Sequence, residues 1–205
     1  ANHGMTDVFH VVHNESGSIA GTRLVTFPIE AGVSQLRLTA LGALTSVSVI
    51  SPSGQTVVVG PGVAIAQSLN GWAVVIDNPI PGTWQISAVG SGNYSFAVSV
   101  NGSIDFDVAE RHSIHRTGRS GHEYRAPLAQ SGQSGRVWMK AHVVNGRAPL
   151  TLDLLRTDGS AISSIPLSQS ATDYFEAEVV LPTEAHRFRV RGFAPDGTAF
   201  ARSEE

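Results

Sequence analysis

The chain contains no cysteine among its 205 residues, and only 15% of its residues are charged. Without cysteine there is neither a disulfide nor thiol chemistry, an absence that suits a secreted bacterial β protein better than a disulfide-stapled animal matrix domain. The low charge content excludes disorder driven by charge over most of the length. The formal net charge of −3 gives no long-range attraction to nucleic acid or anionic lipid, so neither is an expected partner.

Long apolar runs and helical spacing are missing as well. The longest apolar runs, such as 57–59 and 73–76, are far shorter than the roughly 20 residues of a membrane helix, so we expect no membrane insertion. Glu, Lys and Leu never recur at the spacing of an amphipathic helix. The 21 glycines and 10 prolines instead punctuate runs of alternating apolar residues. This pattern predicts an all-β fold.

The clearest alternation occupies residues 77–106. One alternating run follows the turn dipeptide Pro81-Gly82, and a second follows the Gly-Ser-Gly sequence at 90–92. We expect these runs to form a β-hairpin with one buried face. Its inward positions are Trp84, Ile86, Ala88, Tyr94, Phe96, Val98 and Val100.

The spacing of strands and turns predicts two consecutive β-sandwich domains, Ig-like or jelly-roll-like. Residues 6–108 hold about eight strand-like runs, and residues 123–203 hold six or seven. The segment 109–122 is rich in Arg, His, Ser and Gly with little to bury, and we place an interdomain linker there. In the second unit, Asp158-Gly159 predicts a hairpin with a two-residue loop, and the sequence Pro-Asp-Gly at 195–197 predicts a slightly longer turn.

Several of these motifs occur in a recognisable order. The sequence SPSGQTV, the segment NPIPGTWQISAVGSGNYSFAVSV and then IDF resemble the region that follows the von Willebrand factor A domain in hemicentins and related proteins. Downstream, APLTLDLLRTDGSAISSIPL and LPTEAHRFRVRGFAPDGTAFAR are similar to the Ig-like module of the same proteins. The resemblance covers most of residues 24–202 and implies an extracellular or cell-surface accessory region of a larger adhesion protein. No Asp-x-Ser-x-Ser metal-dependent adhesion sequence is present, so metal-dependent ligand binding of that kind is not implied.

Eight histidines raise the question of a metal site. His10 and His13 are three apart, which sends their rings to opposite faces of a strand. In the predicted linker, a turn would bring His112 and His115 together, and His122 or Asp107 would complete a zinc-like set of ligands. The candidate metal ligands are His112, His115, His122, Asp105 and Asp107. The alternative is that these histidines are solvated and that the aspartates form caps or a salt bridge to Arg111, and we predict no metal and no cofactor.

Nucleophilic catalysis lacks its usual sequence. There is no Gly-x-Ser-x-Gly elbow, and the two Gly-x-Ser-Gly sequences at 118–121 and 132–135 fall in predicted turns. Phosphate-binding and dinucleotide-binding loops are missing too. We therefore predict that the chain is not an enzyme.

Three arginines, Arg187, Arg189 and Arg191, alternate along one predicted strand. An anion-binding stripe is one interpretation. The other is a salt-bridged sheet face, because a four-residue hairpin loop at 182–185 would set Glu178 opposite Arg189 and Glu176 opposite Arg191. We favour the salt-bridged face.

The aromatic residues also have two interpretations. We expect Trp72, Trp84 and Trp138 to pack in the cores, since each lies on an alternating apolar run. The candidates for an exposed, ring-stacking carbohydrate site are Tyr94, Tyr124, Phe193 and Phe200.

The functional hypotheses come from different classes. The leading one is a non-catalytic β-sandwich region, secreted or at the cell surface, for adhesion, spacing or protein recognition, with another protein or an extracellular polymer as partner. The second is a polymer- or carbohydrate-binding accessory module of a secreted hydrolase, and a bacterial periplasmic location stays open. The third is a metal-dependent site in the linker.

Overall fold

The computed structural model describes residues 8–117, 122–127 and 134–204. These ranges contain antiparallel strands and no helix, which confirms the predicted all-β class. The predicted domain start at Thr6 and most of the two Gly-x-Ser-Gly sequences lie outside the described residues. The strands are β1 (His10–Ile29), β2 (Gln35–Ile50), β3 (Val63–Ser68), β4 (Gly71–Asp77), β5 (Gly82–Asn101), β6 (Asp105–Thr117), β7 (His122–Pro127), β8 (Gly135–Val144), β9 (Arg147–Leu155), β10 (Ala161–Ala171), β11 (Tyr174–Leu181), β12 (Arg187–Phe193) and β13 (Ala199–Ser203).

The first sheet has five strands in the order β1-β5-β2-β4-β3. The hairpin predicted within 77–106 is wrong, because its two runs are the halves of one continuous 20-residue strand, β5. That strand pairs with β1 along its whole length, from Gly82 opposite Ile29 to Val100 opposite His10. Likewise, β2 is a single strand from Gln35 to Ile50 that pairs with β5 along most of its length. Residues 63–68 form the short strand β3.

A row of glycines lets these long strands change direction without ending. Gly21 lies opposite Gly90, and both Gly21 and Gly92 have a positive φ. On β2, Gly42 has φ +115, and a Cβ there would lie 2.2 Å from the carbonyl oxygen of Asn93. Such a close backbone approach and such a φ both require glycine.

The apolar face of this sheet forms one core cluster drawn from both halves of the long strands. Val12 and Ile19 come from the first half of β1, and Phe27 and Ile29 from the second. Since almost every buried residue of the cluster comes from these five strands, we infer that the two halves of the sheet cover each other.

The eight-stranded sheet has the order β13-β12-β9-β10-β11-β8-β6-β7 and closes in a different way. The first part of β10 pairs with β9, and the part from Ser168 onward pairs with β11. One strand thereby passes between two layers that enclose a second core. Without β7, the order β6-β8-β11-β10 against β9-β12-β13 is that of an Ig constant-type sandwich.

The secondary structure predicted for 109–122 is wrong where the chain is described. Residues up to Thr117 continue β6, which pairs with β8 and then with β7. The polar composition fits an exposed hairpin rather than a free linker, because backbone pairing satisfies the strand whatever its side chains are. The division into units 6–108 and 123–203 stays a prediction.

Both predicted turns of the second unit are present, but the loop at Asp158-Gly159 has three residues and not two, because the N–H of Arg156 donates to the carbonyl of Ser160. Gly159 has φ +82 and its N–H donates to the carbonyl of Arg156. Gly197 has φ +87 and its N–H donates to the carbonyl of Ala194.

The predicted register between Glu176, Glu178, Arg189 and Arg191 is wrong. β11 pairs with β8 and β10, so Glu176 faces Lys140 and Glu178 faces Trp138. β12 pairs with β9 and β13 in the other layer. Residues 182–186 therefore cross between layers, a choice that the alternation of side chains within each strand does not reveal.

Candidate binding cleft

A buried carboxylate lies where the two sheets meet. Glu15 is on the inward face of β1 and is 2% exposed. Arg23 donates to both of its carboxylate oxygens at 3.0 Å, and the Tyr94 hydroxyl donates to Oε1 at 2.9 Å. His13 Nε2 lies 3.1 Å from Oε2. This cluster gives the buried charge the partners that it requires.

The second sheet covers this cluster with the turn between β9 and β10. The backbone N–H of Ser16 donates to the carbonyl of Thr157 at 2.8 Å, and Arg23 donates to the carbonyl of Asp158 at 3.1 Å. At Gly159, an added Cβ would lie 2.5 Å from Glu15 Oε2. The Asp158–Gly159 turn thus closes the β9–β10 hairpin and also packs the second sheet against β1 of the first.

The contacts shift the titration of the cluster. Burial pushes the pKa of Glu15 upward, but hydrogen bonds from His13 and Arg23 outweigh burial and lower the pKa to about 2. Burial and the hydrogen bond to Glu15 raise the pKa of Tyr94 to about 12. The hydrogen bond with Glu15 also raises the pKa of Arg23. At neutral pH the cluster therefore holds an ionised carboxylate against a guanidinium.

Above the cluster lies a polar cleft of about 500 Å³, with walls from both sheets. Arg156 lies beside Glu184, with its Nε 3.2 Å from Oε1. Hydroxyl, guanidinium and carboxylate groups dominate the walls. The lining residues are Ser16, Gly17, Ser18, Arg23, Tyr94, Arg156, Thr157, Asp158, Ser160, Glu184 and Ala185.

A second ion pair joins the sheets elsewhere along the same junction. Arg202 of β13 binds both carboxylate oxygens of Glu30, and these residues are 1% and 2% exposed. Arg202 also donates to the carbonyls of Ile104 and Ala201. Together with the Glu15 cluster, this pair fixes how β1 lies against the second sheet.

The metal candidates do not converge. Asp105 lies 3.1 Å from His10 Nδ1, in a hollow of about 410 Å³ that Asp107 also lines. His112 packs edge-on against Trp138, and His115 stacks on Tyr124. His122 lies on the exposed β6–β7 hairpin. Within the described ranges, no group of three or more His, Cys, Asp or Glu side chains is arranged to hold a metal ion.

The aromatic candidates separate into two kinds. Tyr94 and Phe200 are 6% and 0% exposed, so their rings are not available for stacking on a ligand. Tyr124 and Phe193 are 50% and 49% exposed, but their strands, β7 and β12, are far apart in the sheet order. These four residues therefore do not form the shared platform that a ring-stacking site needs.

The three tryptophans have different environments. Trp84 is in the first core, and its indole N–H donates to the carbonyl of Ile80 at 2.9 Å. Trp72 is half-buried against the same core. Trp138 is 7% exposed but lies outside the second core cluster, on the outer face of β8, with the Arg125 guanidinium 4.2 Å above its ring.

Sequence reasoning missed the four residues that hold the junction together: Glu15, Arg23, Glu30 and Arg202. A signal for Glu15 was present, because it shares strand parity with Ile19 and Phe27 and therefore points inward. An inward glutamate predicts a buried partner. Its partners Arg23 and Tyr94 lie 8 and 79 positions away, and the alternation along β1 does not show which polar side chains meet Glu15.

Comparisons with known proteins add a family to this geometry. Residues 9–103 match the family model described as hemicentin galactose-binding domain-like. No curated protein matches the chain. Matching solved structures include a Bacillus licheniformis lipase in its propeptide form (TM-score 0.39, 15% identity, 98% of this chain and 45% of that chain). They also include an Eisenbergiella tayi β-galacturonidase bound to galacturonate (TM-score 0.27, 13% identity, 90% of this chain and 35% of that chain).

The chain spans less than half of either enzyme, whose activities belong to those larger proteins. A galactose-binding-like module fits a non-catalytic binding role. The resemblance noted in the sequence is confirmed for the first sheet: residues 9–103 match the model of the hemicentin galactose-binding-like domain, and their five-stranded sheet is consistent with a hemicentin-type β-sandwich.

Proposed function

We propose that this chain is a non-catalytic binding region of an extracellular or cell-surface protein that serves adhesion, spacing or protein recognition. The observation that carries the proposal is the polar cleft between the hemicentin-type sheet and the second sheet. Clefts at the junction of two folded units are a common place for ligands. Secretion, and a neighbouring von Willebrand factor A domain in the parent protein, are part of this proposal.

The cleft suits a partner that presents hydroxyl, amide or carboxylate groups. Its exposed rim offers the Arg156 guanidinium and the Ser18 hydroxyl, and both side chains reach solvent. Its floor is already satisfied, because Glu15 is bonded to Arg23 and Tyr94. A ligand would thus meet a preformed surface and would not have to break the junction.

The alternative, a polymer- or carbohydrate-binding accessory module, draws support from the half-exposed rings of Tyr124 and Phe193. Each ring would have to act alone, since the two strands are separated in the sheet. A ligand in the polar cleft would not need an aromatic platform, and for that reason we place the cleft proposal before the accessory-module alternative.

Binding assays against immobilised glycans, insoluble polysaccharides, polyesters and extracellular matrix proteins test the proposal. Arg156→Ala and Ser18→Trp change the rim and should weaken capture at least about tenfold, the equivalent of about 1.4 kcal/mol. Arg147→Ala, an exposed arginine outside the cleft, is the matched control and should bind as the unaltered chain does.

The two functions give opposite outcomes in this assay. If Tyr124→Ala or Phe193→Ala abolishes capture of a polysaccharide and the rim variants leave it intact, the accessory-module function is correct and the cleft proposal is wrong. Loss of binding in Arg147→Ala alone would place the site elsewhere.

A further inference from the structure

The ends of the two sheets differ in how they are protected. β1 ends the first sheet and β13 ends the second, and these strands pack together at the junction, where Ser203 and Ala201 meet β1 and the first core. Among the described strands, β3 and β7 end the sheets on their other sides. An uncovered edge strand is a template for pairing with another chain.

The sequences of these two outer strands contrast. β7 reads HEYRAP and carries Glu123, Arg125 and Pro127, residue types that block pairing at an edge. β3 reads VAIAQS and has no charge and no proline. β3 is therefore the less protected of the two edges.

The outer edge of β3 carries backbone N–H and C=O groups that are free to pair with another strand. Val63 exchanges backbone hydrogen bonds with Gly60 on the side of β3 that faces away from β4. Because backbone groups alternate sides along a strand, the N–H and C=O of Ile65 and Gln67 also point away from β4. Ala64 and Ala66 turn their groups toward β4. In the described part of the chain, the outward groups of Ile65 and Gln67 have no backbone partner.

We propose that β3 pairs with β3 of a second copy of this chain, antiparallel, about a two-fold axis at Ala66. In this register Ile65 of each copy faces Gln67 of the other copy. Each of these two residue pairs forms two backbone hydrogen bonds, so four hydrogen bonds satisfy all the outward N–H and C=O groups of Ile65 and Gln67. Ala66 faces its own counterpart. The two five-stranded sheets then form one continuous sheet.

The side chains around the edge are compatible with self-pairing. Ala66, Ala73 and Thr39 form one row on the outer face, small enough for close approach at the axis. β3 has no charged side chain that would repel β3 of the second copy.

A six-residue edge buries less surface than the roughly 1,200 Å² of stable interfaces, so the expected dimer is weak and dependent on concentration. This inference does not depend on the cleft, which lies in another part of the molecule. Weak self-contacts of this kind gain strength when several copies are linked in one parent protein.

Sedimentation equilibrium over a wide concentration range tests the pairing. Gln67→Pro removes an outward N–H from each copy, two of the four hydrogen bonds, and should raise the dimer dissociation constant at least about tenfold. Gln67→Ala is the matched control, because it keeps the backbone N–H and should dimerise normally. Thermal unfolding of both variants verifies that the fold is retained.

The two-fold axis gives a sharper test. Ala66→Lys and Ala66→Glu should each be monomeric alone, since like charges would meet at the axis, and an equimolar mixture should form a heterodimer. Val180→Lys, at an exposed position on β11, is the charge control and should leave dimerisation unchanged. A monomeric unaltered chain at all concentrations, or a dimer insensitive to both Ala66 variants, overturns the proposal. Capture of an uncharged extended peptide by monomeric chains would also overturn it, with a foreign strand as the occupant.

Discussion

The two ion clusters of the junction use the same chemistry in different surroundings. Both members of the Glu30–Arg202 pair are almost completely buried. At the other cluster, the Glu15 carboxylate is buried but the Arg23 side chain is 41% exposed and lines the cleft. One pair serves only to join the sheets, whereas the other joins them and also forms part of a solvent-facing surface.

This difference has an energetic consequence. Removing one partner of a fully buried pair leaves a charge without water or a counter-ion, and this costs more than removing one partner that solvent can replace. The two clusters should therefore respond to substitution by different amounts, and the following experiments test that difference.

The largest effect is expected for Arg202→Met. This variant leaves Glu30 buried without its partner and should lower the free energy of unfolding by about 3–5 kcal/mol in urea titrations. The double variant with Glu30→Met should recover much of the loss, because no buried charge is left. If the single variant costs no more than a surface substitution, Glu30 reaches solvent and the comparison fails.

The next effect is the pH dependence contributed by Glu15. Its pKa falls from 4.5 to about 2 on folding, so its contribution is complete above pH 4.5 and is lost as the pH falls toward 2. The full contribution is about 3 kcal/mol, at about 1.4 kcal/mol per unit. Glu15→Gln should remove this part of the acid sensitivity, measured as urea midpoints between pH 2 and pH 6. An unchanged pH profile would show that Glu15 is not held ionised.

A smaller loss is expected at a cluster that lies within one sheet. Asp153 is buried and accepts hydrogen bonds from Arg189, Arg191 and Ser164. Burial raises its pKa, but these hydrogen bonds outweigh burial and lower it. Asp153→Asn should cost about 1–3 kcal/mol, because both arginines retain access to water. A loss as large as that of Arg202→Met would remove the distinction between buried and solvent-facing pairs.

The smallest effect is expected for Glu178→Arg. Glu178 binds Arg136 at the surface, with side chains that are 50% and 43% exposed. Calorimetry should show only a slight fall in Tm, since solvent screens such pairs. A large fall would mean that Glu178 has a buried partner and that solvent does not screen the pair.

Sequence analysis recovered the local features and missed the distant ones. The positive φ of Gly159 and Gly197 follows from their turn sequences, and the burial of Trp84 follows from alternation. Continuity of β5 through Gly90 and Gly92 was missed because glycine permits both a turn and a bend, and only the opposing strand β1 decides between them. The partners of Arg189 and Arg191 were missed because strand neighbours in a sandwich depend on which layer each strand enters.

The sequence by itself determined that the chain is all-β, that Trp84 points into a core, and that turns fall near Gly159 and Gly197. These properties depend on neighbouring residues, through the period of two and the steric preferences of Gly, Pro, Asn and Asp. Only the tertiary structure decided that Glu15 meets the Asp158–Gly159 turn, that Glu30 meets Arg202, and that β3 is left uncovered. Such contacts join positions up to 172 residues apart, and their stability comes from excluding water between surfaces that no local pattern describes.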